Sequence, residues 1–187
     1  MKLIFYLSFF LFSSCSLILN FRDLPKPEGQ YIIGTDVFTW EDTYRDEWFT
    51  KDKIDTRKIV VQIWYPASEK SDSLYPYMDN ADIRIQSISE RIGKGKGLIK
   101  PASQVKTNTY YKAKPIDEKF PLILFSHGLG GYKTQNLINI ETLVSEGYIV
   151  IAPDHTYDAT ITIFEDGTSI GFEAGLPDEV SPEEFWA

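Results

Sequence analysis

Residues 120–131 read Phe120-Pro121-Leu122-Ile123-Leu124-Phe125-Ser126-His127-Gly128-Leu129-Gly130-Gly131, and they decide the predicted fold. The continuous apolar run Leu122–Phe125 is typical of a strand that is covered on both faces. The glycines after it predict a tight turn, and we expect that turn to open a helix. Such a turn presents backbone N–H groups to an anionic centre.

A helix and a second strand are predicted on the C-terminal side of the turn. The helix covers Thr134–Glu146, and Gly147 is its stop signal. Its apolar face consists of Leu137, Ile140, Leu143 and Val144. Tyr148–Ala152 follows as a buried strand that ends at Pro153-Asp154. Strand, helix and strand at this spacing predict a βαβ unit with a parallel pair of strands.

Two further strands are predicted before the turn. Tyr31–Trp40 and Lys58–Tyr65 are rich in β-branched and aromatic residues, and Pro66 is expected to stop the second strand. The charged stretch Glu41–Arg57 between them predicts a hairpin connection.

The segment 67–119 has little periodicity, and an insert of this kind usually carries function or wraps a site. Within it, Ile83–Ile92 predicts an amphipathic helix that ends at Gly93. Its apolar face is expected to contain Ile85, Ile88 and Ile92. We interpret the basic stretch Lys94–Lys100 as a solvated loop, the alternative being a contact with phosphate or a lipid headgroup.

Residues 1–20 have the layout of an export signal, with Lys2, the apolar run Leu3–Phe12 and small residues before Cys15. They resemble a bacterial lipoprotein signal, in which Cys15 would be lipidated; a cleaved signal and an uncleaved anchor are the alternatives. All three place the remainder, residues 21–187, outside the cytoplasm, anchored to the cell envelope by lipid or secreted. Cys15 is the only cysteine, which excludes intrachain disulfides and cysteine-based metal sites.

The charge balance excludes one class of partner. The net charge of -8 argues against a nucleic-acid partner, because phosphate binding needs clustered Lys and Arg. We expect no cofactor and no metal.

The glycine-rich turn has the composition that acyl transfer requires. In that reaction negative charge builds on the carbonyl oxygen, and two aimed backbone N–H groups stabilise it. Gly128 lets the backbone approach closely, and the N–H of Leu129 is the expected donor. We expect His127 to hold the turn by a hydrogen bond, with neither metal nor base duty. The alternative is that the glycines serve only close packing of helix and sheet.

Separated motifs now carry a family resemblance: Val61–Ala67, Phe120–Gly131, and Gly147–Val150 with Pro153-Asp154-His155. Together with the lead-in Gly29–Thr35 they resemble the secreted platelet-activating factor acetylhydrolases and their bacterial relatives near dienelactone hydrolase. The resemblance spans about residues 28–165.

The resemblance implies an α/β-hydrolase fold, here its N-terminal part: a mostly parallel sheet with flanking helices and antiparallel N-terminal strands. It implies calcium-independent hydrolysis of a short acyl ester by a Ser-Asp-His set. It assigns the oxyanion donor to Leu129 and makes Asp154-His155 a structural turn; a role for those two residues as acid and base is the less favoured alternative.

Gly167-Thr168-Ser169-Ile170-Gly171 matches the G-x-S-x-G pattern letter for letter. A nucleophile needs a buried strand before this serine and a helix after it. Instead, Thr160–Phe164 and Thr168–Phe172 flank a turn signal and predict a β-hairpin. We therefore interpret Ser169 as a chance match; a genuine nucleophile at Ser169 is the alternative.

The rest of the chain, with a helix start at Ser181, offers no other candidate nucleophile. By the resemblance, the nucleophile, acid and base come later, so we expect residues 21–187 to be an incomplete domain that is inactive alone and leaves an apolar edge exposed. The expected function is hydrolysis of a small ester or a phospholipid, as in lipid catabolism. The alternative is a catalytically inactive lipoprotein that binds a lipid or a partner.

Overall fold

The computed structural model describes residues 23–52 and 54–173. The predicted signal at 1–20, with Cys15, and the predicted helix start at Ser181 lie outside these residues. The strands are β1 (Ile32–Asp46), β2 (Thr56–Ala67), β3 (Thr109–Tyr111), β4 (Leu122–Leu124), β5 (Ile149–Asp154), β6 (Ile161–Ile163) and β7 (Ser169–Gly171). The helices are α1 (Ala81–Ile92), α2 (Lys96–Ile99) and α3 (Leu137–Ser145), with a 3-10 turn at Lys100–Gln104.

The main sheet has five strands in the order β3-β1-β2-β5-β4. β1 and β2 are antiparallel, β2 and β5 are antiparallel, and β5 and β4 are parallel. The predicted βαβ unit is therefore confirmed, with α3 between its two parallel strands. This is an α/β fold with a mixed sheet, flanking helices and antiparallel N-terminal strands, as expected.

The core lies where α3 covers the middle of this sheet. Its buried members are Ile33, Trp64, Leu137, Ile140, Val144, Val150 and Ala152. The hydrophobic effect favours this arrangement because each strand and the helix remove one apolar face from water. None of the helices within the described ranges is long and apolar enough to cross a membrane.

The β1–β2 hairpin is longer than predicted. β1 continues to Asp46, and β2 begins at Thr56, so much of the charged stretch assigned to a connection belongs to the ladder. Exposed strands tolerate charge when opposite signs face each other, and Glu41 pairs in register with Lys58. Pro66 also lies inside β2 and does not end it; the pairing of β2 with β5 has already stopped at Trp64.

Helix α1 confirms the predicted helix and its stop, because Gly93 adopts φ 61 and donates its N–H to the carbonyl of Glu90. The predicted apolar face is wrong in part. Ile85 is buried, whereas Ile92 is 48% exposed and the other buried residues are Arg84 and Ser89. α1 packs on polar groups instead of a purely apolar surface. Part of the predicted loop Lys94–Lys100 forms the short, largely exposed helix α2.

Two expectations around the glycine turn are also corrected. α3 begins at Leu137, so the turn does not open directly into a helix; the backbone N–H of Lys133 is instead bonded to the carboxylate of Asp154. β5 continues through Pro153 to Asp154. β4 is an edge strand within the described residues, where Leu122 is 61% and Leu124 is 73% exposed. The prediction that this strand is covered on both faces was thus wrong. The expectation of an exposed apolar edge is confirmed.

Candidate active site

The glycine turn lies at the carboxyl end of β4, and His127 holds it from inside. His127 is buried, and its Nε2 accepts the backbone N–H of His155 at 3.1 Å. Because that nitrogen accepts, the proton of the neutral ring sits on Nδ1, which lies 2.9 Å from the carbonyl oxygen of Gly128 and donates to it. The contact is of the kind predicted for His127, whose role in a reaction stays a prediction.

The Gly128 carbonyl fixes the direction of the next N–H group. It accepts from His127 Nδ1 and also from the N–H of Gly131 at 2.7 Å. The Gly128–Leu129 peptide is trans and planar, so the N–H of Leu129 points in the direction opposite to the Gly128 carbonyl oxygen, which accepts both hydrogen bonds. Two hydrogen bonds on one side of the peptide thus aim the donor on its other side.

Three backbone groups of the turn are bonded to the segment after β5. The N–H of Gly130 donates to Asp158 at 2.7 Å, and the carbonyls of Gly130 and Gly131 accept from the hydroxyl and the N–H of Thr160. Among the described residues, no acceptor is bonded to the N–H of Gly128 or of Leu129. Two neighbouring donors are therefore free at an exposed turn.

A largely buried cluster of four charges, Asp79, Arg84, Lys133 and Asp154, lies beside the turn. Arg84 contacts Asp79 at 2.6 Å and Asp154 at 3.3 Å. Lys133 Nζ contacts Asp79 at 2.9 Å and Asp154 at 3.4 Å. Two cations and two anions balance, which is the condition for burying charge without an uncompensated group.

Electrostatics in this cluster favour the ionised forms of Asp79 and Arg84. Burial would raise the pKa of Asp79, but Lys133 and Arg84 outweigh burial and hold that pKa well below its usual range. Burial likewise opposes the charge of Arg84, whereas Asp79 and Asp154 raise its pKa further. The cluster joins α1 of the 67–119 insert to the end of β5 and to Lys133, two residues after the turn.

Asp154 is fully buried and bonded to Arg84 and Lys133, and it makes no hydrogen bond to the ring of His155. The geometry therefore gives no support to Asp154-His155 as an acid–base pair. The ring of His155 instead lies 2.8 Å, through Nε2, from the hydroxyl of Ser126. Burial, and after it the neighbouring His127, lowers the pKa of His155.

The Ser126–His155 contact was missed at the sequence level. A signal for it existed: parallel pairing of β4 and β5 puts Leu124 beside Ile151, so residues just beyond both strands must meet. Ser126 follows β4 by two residues, and His155 follows β5 directly.

Ser169 lies in β7, which pairs antiparallel with β6 through the register Ile163–Ser169. The predicted hairpin is confirmed, with Gly167 at φ 84 in its turn. Ser169 itself has no left-handed backbone and thus lacks the strained conformation of a nucleophile elbow.

A cleft of about 410 Å³ opens beside the residues that follow His155. Thr156 and Tyr157 line it on one side, and the β6–β7 hairpin contributes Glu165 and Asp166. Within the part of the chain that the structure covers, no group of three or more His, Cys, Asp or Glu side chains could hold a metal ion.

Comparisons with known proteins bear on this site. Platelet-activating factor acetylhydrolases of Cavia porcellus and of Canis lupus familiaris are each 29% identical over 139 residues, which is 71% of this chain and 28% of theirs. The chain therefore spans less than a third of these relatives. A ferulic acid esterase from Streptomyces cinnamoneus matches with a TM-score of 0.65 and 26% identity, over 80% of this chain and 41% of that one.

The family profile named platelet-activating factor acetylhydrolase, isoform II, matches residues 19–171, a range that contains the turn, the charge cluster and the Ser126–His155 contact. The chain belongs to this family of platelet-activating factor acetylhydrolases.

Proposed function

We propose that residues 127–131 form the oxyanion-stabilising turn of a serine-dependent carboxylic-ester hydrolase, with Leu129 as a donor. One observation carries the proposal: the N–H groups of Gly128 and Leu129 have no acceptor among the described residues, whereas those of Gly130 and Gly131 donate to the carbonyls of Asp158 and Gly128. Two neighbouring N–H groups without a protein acceptor, one of them held in direction by the Gly128 carbonyl, meet the requirement for binding a developing oxyanion.

The turn would act in the transition state. As a nucleophile attacks an ester carbonyl, the oxygen gains negative charge and shortens its hydrogen bonds to aimed N–H groups. Each such donor lowers the barrier by about 3–4 kcal/mol. The nucleophile, acid and base would belong to polypeptide other than the described residues, and a Ser-Asp-His set is the arrangement expected from the family.

The proposed substrates are small acyl esters, including the acetyl ester of an ether phospholipid. The support is the name of the matched family and of its curated relatives. The Streptomyces cinnamoneus esterase is named for a different acid, ferulic acid, so the test varies the acyl group. A panel of p-nitrophenyl esters from acetate to octanoate, with a 2-acetyl phospholipid, separates the possibilities.

Export with lipidation at Cys15 is part of the proposal, supported only by the sequence of residues 1–20. Radiolabelled palmitate should enter the chain in a bacterial host and fail to enter the Cys15→Ala variant. Incorporation of the label into the Cys15→Ala variant, or its absence from the parent chain, would contradict lipidation at Cys15.

The activity of the turn can be tested in a host enzyme that carries its own nucleophile. Residues 120–160 of this chain would replace the structurally matching segment of the Streptomyces cinnamoneus ferulic acid esterase; this protein is called the grafted esterase below. We expect hydrolysis within about tenfold of the parent esterase, and a loss of about 10²–10³ in kcat when His127→Ala releases the turn. A folded grafted esterase that is inactive, or one indifferent to His127→Ala, would contradict the proposal.

A further inference from the structure

We propose that Ser126 and His155 are positioning residues that fix the direction of the Leu129 N–H from the neighbouring strand. The proposal rests on the oxyanion role of the turn and names two residues outside the turn that support it. Neither residue would contact the substrate; both act through His127.

His155 contacts the β4 end of the sheet twice. Its ring Nε2 lies 2.8 Å from Ser126 Oγ, and its backbone N–H donates to His127 Nε2 at 3.1 Å. Ser126 and His127 are adjacent in the chain, so these two contacts close a small ring between the ends of β4 and β5. A closed ring restricts rotation of the His127 side chain more than either contact alone.

The position of the His127 ring sets the position of the donor. Its Nδ1 binds the Gly128 carbonyl, and that carbonyl belongs to the same planar peptide as the Leu129 N–H. A rotation of the imidazole therefore turns the peptide and moves the N–H by a similar angle. Catalytic groups must keep their direction within about 10–20° to be effective, so the supporting contacts matter.

Burial, and after it the neighbouring His127, lowers the pKa of His155 and favours a neutral ring. His127 faces it from the turn with ring centroids 4.7 Å apart, Arg57 approaches from β2, and Asp158 and Asp154 are the nearby acids. Two imidazoles at this distance disfavour a second positive charge. A neutral His155 leaves the Ser126 hydroxyl free to donate to Nε2 or to accept from it.

A serine within hydrogen-bond reach of an imidazole also has the geometry of a nucleophile and its base. A base of that kind needs a third group to orient it, and the buried carboxylate next in the chain, Asp154, is bonded to Arg84 and Lys133. The geometry therefore assigns Ser126 a positioning role, and covalent labelling of Ser126 would contradict the assignment.

The test uses the full 187-residue chain, labelled with ¹⁵N, and three variants. Ser126→Ala removes the hydroxyl, Ser126→Thr keeps it, and Ser169→Ala removes an exposed hydroxyl on β7 as the matched control. The readouts are the tautomer of His127 from its ring ¹⁵N shifts, the Leu129 amide shift, and hydrogen exchange at the Gly131 amide, which is bonded to the Gly128 carbonyl.

We expect the parent His127 to carry its proton on Nδ1. Ser126→Ala should move the ring shifts toward a mixture of tautomers, displace the Leu129 amide resonance and speed exchange at Gly131 about fivefold, the factor that corresponds to one hydrogen bond of roughly 1 kcal/mol. Ser126→Thr should restore all three, Ser169→Ala should change none, and exchange at the core amide of Val61 should be equal throughout.

If Ser126→Ala left the Leu129 amide shift and the exchange rate at Gly131 unchanged, the proposal would be overturned. An equal increase in the exchange rate at Val61 would also overturn it. Reaction of Ser126 with a fluorophosphonate would overturn it as well. The same substitutions in the grafted esterase give a second readout, an expected fivefold loss of kcat with unchanged KM for Ser126→Ala and recovery for Ser126→Thr. Coupling seen by NMR in a grafted esterase without activity would contradict the oxyanion role alone.

Discussion

The backbone N–H of His155 donates to Nε2 of His127 across 3.1 Å, and this bond makes the end of β5 a support for the turn after β4. It fixes the tautomer of His127, so that Nδ1 carries the proton and donates to the Gly128 carbonyl. That bond fixes the orientation of the Gly128–Leu129 peptide and therefore the direction of the Leu129 N–H. The chemistry proposed for the turn thus depends on the parallel pairing of two strands.

Two glycines of the turn should respond differently to an added methyl group. At Gly130 the φ of 70 and the guanidinium of Arg91, which lies where a Cβ would be, predict that Gly130→Ala destabilises the fold by about 1–2 kcal/mol. At Gly128 nothing described lies within 4 Å of an added Cβ, so Gly128→Ala should change stability by less than about 0.5 kcal/mol. Urea denaturation of both variants measures the difference; equal losses would contradict this description of the turn.

Removal of one charge from the buried cluster should be costly. Lys133→Met leaves Asp79 and Asp154 with Arg84 alone, and we expect a loss of about 3–5 kcal/mol in the free energy of unfolding. Lys119→Met, at an exposed position, is the matched control and should change stability by less than about 0.5 kcal/mol. Similar denaturation midpoints for the two variants would show that the cluster does not stabilise the fold.

Stability should fall in mild acid because of His155. Burial lowers its pKa in the folded state, so below about pH 6.5 the unfolded chain binds more protons than the folded one. This contribution is complete above the unfolded pKa and is lost as pH falls through the folded pKa. Denaturation at pH 8, 6 and 5 should show a smaller decrease for His155→Asn than for the parent, and identical profiles would contradict the assignment.

The exposed edge of β4 should promote association. Leu122 and Leu124 present apolar side chains beside backbone groups with no strand partner on that side among the described residues. Leu122→Lys with Leu124→Lys should reduce self-association in sedimentation velocity with little change in folding. Ile123→Lys is the contrasting variant, because Ile123 packs against the core and a charge there should destabilise the chain. Undiminished association of the double variant would refute the role of this edge.

The parts of the fold that depend on local pattern could be predicted from the sequence. The apolar run at Leu122, the amphipathic stretch that became α3 and the hairpin around Gly167 each carry their signal within a few residues. The start of α3 at Leu137 was missed because the N–H of Lys133 bonds to Asp154, a residue from another strand. Such tertiary competition has no signature in a short window.

The same limit applies to the candidate site. His127 and Leu129 were predicted because a motif carries them, whereas Ser126 and His155 meet only after β4 and β5 pair. The burial of Arg84 and Lys133 has no local sequence signal, since Asp154, which both contact, comes from a distant segment.

The central claim, that the Leu129 N–H stabilises an oxyanion, is tested most directly by replacing that amide with an ester in the grafted esterase, using leucic acid, the α-hydroxy acid that corresponds to leucine, at position 129. Leu129→Ala is the control, because the side chain is 76% exposed and the N–H is retained. We predict a loss of about 10²–10³ in kcat for the backbone ester and a change within about twofold for Leu129→Ala. Equal kcat values for the ester and the parent would contradict it.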